Sequence, residues 1–244
     1  MNSSIKPNRK SEATGLLATL LITAVVGLGS GASVLAGAST KVVPPNSTKY
    51  GNNYSGWSAA WWQWNLSQPV EGHPGIDGPD FDVTAGQSGD VWFLAAPSGT
   101  VERTCTIPAG KALFFPMYNA ECSSLEAEDS GFHGDTAKEQ RTCAKYWANH
   151  IVVAYCEIDG DVVAKAGSYR VTSPQFTFTA PSPWIFGETG GTGTSVGDGY
   201  YILLAPLSRG DHTLRFGGVS HFTLAADGFD GDFPIDMTYH LAVQ

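Results

Sequence analysis

Two runs near the C-terminus carry side chains of the types that handle sugars. In IDMTYHLAV (235–243), period-two alternation puts Asp236, Thr238 and His240 on one face, opposite Ile235, Met237, Tyr239, Leu241 and Val243. In HTLRFGG (212–218), Thr213 and Arg215 oppose His212, Leu214 and Phe216. Paired as a hairpin, the two runs place Arg215, Asp236 and His240 on one polar sheet face. An imidazole there can act as a base and a guanidinium can stabilise developing negative charge. Such a face fits the binding of a glycan, or a lyase or hydrolase acting on one. Hydrolysis by paired carboxyls needs defined separations that alternation does not supply. Tyr239 points inward by the same parity.

The remaining motifs are incomplete. Gly193-Thr194-Ser195-Val196-Gly197 spells G-x-S-x-G, but a nucleophile elbow needs a buried strand before the serine and a helix after it. Here a Gly/Thr-rich stretch precedes it and YYILL follows. Gly110-Lys111 has Cys105 where a phosphate loop needs its first glycine, and H-E-x-x-H does not occur. The run DGFDGDFPID brings Asp227, Asp230 and Asp232 together without the order of an EF-hand. Calcium, which accepts irregular oxygen cages, is the one cofactor this pattern could hold. Asp77, Asp80 and Asp82 make a weaker version. Arg103 shares its parity with Val101 and Cys105, so it either reaches the rim or meets a buried acid.

Elements must position these groups. YSGWSAAWWQWNLSQP is expected to be a short helix with Ser55 as N-cap and Pro69 as stop. Trp57, Trp61 and Trp64 fall at i, i+4 and i+7, a face to bury on a sheet. Trp62 lies off that stripe and is left toward solvent, an aromatic on which a sugar ring could stack. TAKEQRTCAKYWANH (136–150) is a second helix, with Asp135 as N-cap. Strands are expected at VWFLAA, VERTCTI, ALFFPMY, on both sides of the Asp159-Gly160 turn, and at QFTFTA, YYILLAP, HTLRFGG and IDMTYHLAV. Gly187 to Gly199 reads as a flexible loop. Strands do not alternate with helices, which excludes a βαβ sheet. The expected fold is all-β, an antiparallel two-sheet β-sandwich of jelly-roll type with two short helices.

The chain has 244 residues and opens with Lys6, Arg9 and Lys10, an uncharged apolar run from Gly15 to Gly29, and the triplet Ala36-Gly37-Ala38. That order reads as a secretory signal peptide over 1–38, cleaved near Ala38. A linker (39–53) and a single β-sandwich domain (54–244) follow. The protein is then secreted or periplasmic, with no membrane span after cleavage. The formal net charge of −9 becomes more negative once the basic leader is gone. This excludes nucleic acid and anionic membranes as partners and leaves a neutral glycan or a cell-surface component.

The four cysteines, Cys105, Cys122, Cys143 and Cys156, allow three pairings. The expected one joins Cys122 to Cys143 across the polar segment 123–142, and Cys105 to Cys156 between strands. C-x₂₋₄-C spacing is absent, which argues against zinc.

Together, DVWFLAA, RTCTIPAGKALFFPMYNAECS, HTLRFGG and IDMTYHLAV resemble a group of exported bacterial proteins with no assigned activity. The likeness spans most of residues 57–243. It implies export and a β-rich domain, and it brings no catalytic residues. The first reading is a non-catalytic, disulfide-stapled glycan-binding or surface-associated protein, with Trp62, Arg215 and His240 as its binding residues. The second is a glycan-active enzyme using His240, Arg215 and Asp236, and the third a structural envelope or adhesion component. The residues leave open whether the protein is an enzyme.

Overall fold

A computed structural model describes residues 41–76 and 82–244. The expected signal peptide, and with it the cleavage site, lies outside the described residues, as do Asp77 and Asp80. The strands are β1 (Thr48–Lys49), β2 (Asn52–Asn53), β3 (Val91–Phe93), β4 (Gly99–Ile107), β5 (Ala112–Ser123), β6 (Ile151–Ile158), β7 (Asp161–Val162), β8 (Arg170–Thr172), β9 (Phe176–Ala180), β10 (Gly191–Leu204), β11 (Gly210–Phe222) and β12 (Gly231–Val243). The helices are α1 (Tyr54–Leu66), α2 (Ala137–Asn149) and the one-turn α3 (Leu224–Asp227).

Sheet one runs β3-β5-β10-β8, with β9 also paired to β10; sheet two runs β4-β12-β11-β6-β7. Both sheets are mixed, because β3 pairs β5 and β4 pairs β12 in parallel. This corrects the expected antiparallel, jelly-roll sandwich. The turn at Pro97–Gly99 carries the chain from one sheet to the other. It does not reverse it within a sheet, so each strand joins an edge beside a strand running its own way. β1 and β2 form a separate two-stranded ribbon.

Alternation on the long strands builds three layers. Leu113, Phe115 and Met117 of β5 and Ile202 and Leu204 of β10 meet Leu214, Phe216, Met237 and Leu241 between the sheets. The alternate residues Phe114, Tyr201 and Leu203 face α1 and its tryptophans. Each such side chain fully buried contributes roughly 1.5–3 kcal/mol. Val42, in the expected linker, bridges to Leu204, and the Val43 N–H donates to the Leu203 carbonyl at 2.8 Å. That stretch extends sheet one.

The N-cap of α1 is Asn53, whose side chain accepts from the Gly56 N–H at 2.9 Å; Ser55 lies inside the helix. Trp62 is buried, against expectation. Its indole N–H donates to the Tyr201 hydroxyl at 3.0 Å. Room for the ring comes from Gly197 on β10, where a Cβ would lie 2.3 Å from Trp62 Nε1. The glycines that read as a loop are thus strand positions of close approach. The N-cap of α2 is Thr136, one residue after the expected Asp135. Thr136 and Glu139 form a reciprocal capping box. At the β6–β7 turn, Asp159 (φ 54°) and Gly160 (φ 83°) take the left-handed conformations of a tight hairpin.

Cys122 on β5 is bonded to Cys143 on α2. Cys105 and Cys156 are free and buried, so the second expected disulfide is not made. Cys105 lies on β4 and Cys156 on β6, with β12 and β11 between them. Three strand spacings put them about 14 Å apart, and a disulfide spans at most about 7 Å between Cα atoms. No helix among the described residues is long and apolar enough to cross a membrane.

Candidate functional site

β11 and β12 pair in the register that sets Arg215 opposite Thr238 and Thr213 opposite His240. Arg215, Asp236 and His240 do share the outer face of sheet two. Their chemistry there is already committed. Arg215 donates from Nε and Nη2 to the two Asp236 oxygens, each at 2.9 Å, and the Tyr155 hydroxyl adds a third donor at 2.7 Å. The guanidinium and these hydrogen bonds hold the Asp236 carboxyl below its usual range. His240 faces Glu102 at 3.4 Å. A groove of about 530 Å³ takes in His240 with Asp159, Asp211 and His212, but neither Arg215 nor Asp236. Trp62 lies beneath α1 on the far face of sheet one, two layers away. The three expected binding residues therefore do not converge.

The expected calcium ligands also diverge. Asp227 accepts from the Thr223 N–H (2.8 Å) and the Tyr146 hydroxyl (2.7 Å) and contacts His150 Nε2 (2.9 Å). Asp232 pairs with His221 across the β11–β12 ladder, and Asp230 is exposed. Among the described residues no group of three or more His, Cys, Asp or Glu side chains could hold a metal ion. Arg103 is buried. Its Nη1 donates to the Tyr239 hydroxyl (3.1 Å) and the Pro74 carbonyl (3.2 Å).

A different place has the shape of a site. β3 pairs β5 only over 112–114, and no described strand pairs that edge again before Ser123 bridges to His133. A bulge occurs at Pro116–Tyr118, where Tyr200 opposes Tyr118 but Tyr201 opposes Pro116. A proline has no N–H for a ladder, and a bulge accommodates it. Along this edge runs a cleft of about 540 Å³, lined by Tyr118 to Glu121, Glu126, Phe132, Trp147 of α2, Phe222 of β11, Phe229, Phe233 of β12 and Phe186. Its size suits a small ligand. Three of its rings, Phe186, Phe229 and Phe233, are exposed. Phe132 and Trp147 stack at 4.3 Å, and Trp147 Nε1 is tied to the Gly131 carbonyl at 2.9 Å. The Tyr118 hydroxyl is fixed between Phe233 O (3.0 Å) and Ser220 Oγ (2.8 Å). The Cys122–Cys143 bond clamps α2 to β5 beside this wall.

Two carboxyls line the same cleft. Glu121 is 3% exposed and Glu126 is 8% exposed. Beyond the burial of both, a charge at Glu126 disfavours a second one at Glu121. Burial pushes Glu121 up to about 8 and Glu126 to about 7. Ser195 Oγ reaches both Glu121 Oε2 and the Cys122 carbonyl, the latter at 2.9 Å. A hydroxyl has one proton. When it goes to the carbonyl, the other contact is made only by a protonated Glu121. The serine of G-x-S-x-G is therefore a buried strand residue supporting an acid, with no access for a substrate. Next to it, His133 Nδ1 donates to the Glu126 carbonyl at 2.6 Å.

Sequence reading missed both glutamates. The available signal was the polar, period-two set Asn119, Glu121 and Ser123 continuing an otherwise apolar strand. Glu126 sits in the segment read as a plain polar loop, and only the fold brings it back to β5.

No family model matches the chain, and no curated protein matches it. Among solved structures, the solution structure of amebosin aligns over 58% of this chain and 89% of its own, at 13% identity and a TM-score of 0.16. Similarity that low carries no argument. What stands is a disulfide-containing, sheet-dominated protein with no metal cluster among its described residues.

Proposed function

We propose that the protein is a non-catalytic glycan-binding domain of the cell exterior and that the sugar lies in the cleft along β5. The observation that carries this reading is the combination of exposed rings at the mouth (Phe186, Phe229, Phe233) with carboxyls and Asn119 within. Sugars present a C–H face to aromatic rings and hydroxyls to polar groups, and this lining offers both. The expected export signal and the resemblance to exported bacterial proteins read from the sequence are consistent with that location.

The carboxyl pair raises the second reading, a glycan hydrolase. Its geometry disfavours that reading. Retaining and inverting enzymes hold their two carboxyls about 5 Å or more apart to admit the sugar carbon or a water. Here Glu121 is buried and its Oε2 is taken by Ser195, so it is not open to either.

The test is retention of the full chain, disulfide intact, on a panel of immobilised glycans, beside Phe233→Ala and His240→Ala. Retention lost in Phe233→Ala and kept in His240→Ala is the expected result. A folded protein retained by no glycan, or retention that depends on His240 alone, overturns the reading.

A further inference from the structure

We propose that the glycan carries acetamido groups, one of which enters the lane beside β5 with its carbonyl accepting from the Asn119 main-chain N–H and its methyl group on the aromatic wall. This rests on the glycan reading above and narrows it to N-acetylated sugars.

Two independent observations lead here. The first is a gap in a lane of peptide groups. The edge of β5 away from β10 is filled at both ends by segments running parallel to it, β3 at 112–114 and His133 at Ser123. At one end the Leu94 N–H donates to the Phe114 carbonyl at 3.1 Å; at the other the Ser123 N–H donates to Phe132 O and the Gly134 N–H to Ser123 O, each at 3.1 Å. Alternate residues of a strand turn their N–H and C=O to the same edge. Counting back from Ser123, Glu121 and Asn119 therefore face this lane too. Pro116, which follows Phe114 in the same alternation, has no N–H to offer. Glu121 is buried, whereas Asn119 and Ala120 are half-buried and line the cleft. Among the described residues nothing is bonded to the main-chain N–H or carbonyl of Asn119.

The second observation is what walls the gap. The stacked Phe132 and Trp147, with Phe222 and Phe233, line the same cleft as Asn119. An acetamido group is a peptide unit ending in a methyl group. Its carbonyl takes an edge N–H as the segments at both ends of the lane do, and its methyl group takes the apolar wall. A trans amide points its N–H and C=O in opposite directions, so the amide N–H faces away from β5. A hydroxyl also accepts the Asn119 N–H, but it brings no methyl group to the rings.

The experiment is titration calorimetry of the full chain, disulfide intact, with trisaccharides of N-acetylglucosamine and N-acetylgalactosamine and with glucose and galactose trisaccharides of the same linkage. The expected result is binding of an acetamido form roughly tenfold or more tighter, the effect of one hydrogen bond and one buried methyl group. In isotope-labelled protein the Asn119 amide proton should shift on binding that sugar. Asn119→Pro, which deletes the edge N–H, should lower the preference further than Asn119→Ala, which keeps it. Equal affinity for the acetamido and hydroxyl forms overturns the assignment and leaves the glycan reading standing. A preference without the Asn119 shift puts the acetamido group elsewhere and also overturns it. Binding of none of the sugars overturns the assignment, and the glycan panel above then decides the wider reading. Binding of N-acetyl-tetra-alanine in place of every sugar marks the lane as a peptide site and overturns both. Where Asn119→Pro does not fold, the wild-type preference and the Asn119 shift decide.

Discussion

Replacing Glu121 by Gln should flatten the dependence of stability on pH. The Glu121 carboxyl is almost wholly buried, and burial raises it to about 8. In the unfolded chain it titrates near 4.3. Between those values the unfolded chain has lost the proton and the folded chain keeps it. Its stabilising contribution is therefore complete below the unfolded value and is lost as pH rises through the folded one. At about 1.4 kcal/mol per pK unit, a shift of more than three units amounts to on the order of 4 kcal/mol across pH 5–8. Glu126 is raised for the same reason, so the pair titrates as one system and the loss is spread over the window.

Gln presents an amide where the neutral acid presents a hydroxyl, and it cannot ionise. Glu121→Gln should match the wild type at pH 5 and exceed it at pH 8. Burial lowers His73, and the Glu126 carbonyl raises His133. Both act in this window but are common to both proteins and cancel in the difference. Asp236, held low by Arg215, loses its contribution only below about pH 4. The assay is urea unfolding at four pH values, comparing midpoints at constant slope. Parallel curves for the two proteins would refute the reasoning, because they would mean that Glu121 is ionised in the fold.

Removing the disulfide with Cys122→Ser and Cys143→Ser should cost about 3 kcal/mol, the chain entropy of a loop with a sequence separation of 21. Hydrogen exchange should then rise first in residues 124–136. Gly197→Ala puts a methyl group into the Trp62 ring beneath α1. It should destabilise by roughly 1–3 kcal/mol, with a fall in Tm and a change in tryptophan fluorescence. Alkylation of native protein should label neither Cys105 nor Cys156, both buried and with their thiolates disfavoured, and denaturant should expose both. Rapid labelling without denaturant would contradict their place in the core. Arg215→Ala should leave both the unfolding midpoint and glycan retention nearly unchanged, since its ion pair is on an open face.

Local rules carry far along this chain. Alternation in 212–218 and 235–243 was enough to put Arg215, Asp236 and His240 on one face, because side chains on a strand can only alternate. Asp159-Gly160 marked its turn, because few residues adopt left-handed conformations cheaply. The two longer helices, α1 and α2, were legible from their patterns, with caps shifted by one or two residues. What alternation lacks is which strands become neighbours. Cys105 and Cys156 both read as strand cysteines, yet two intervening strands keep them apart. The glycines of 191–199 read as a loop because composition cannot distinguish a flexible glycine from one that lets Trp62 approach a strand. Trp62 itself is buried by that approach and not by its place on the helical stripe. Glu121 and Glu126 are ordinary acids in sequence. They become buried acids that hold their protons well above the usual carboxyl range only when the edge of β5, the returning loop and Ser195 of β10 meet and exclude water. A site made of long-range contacts leaves almost no local trace, so only the tertiary structure could place the cleft.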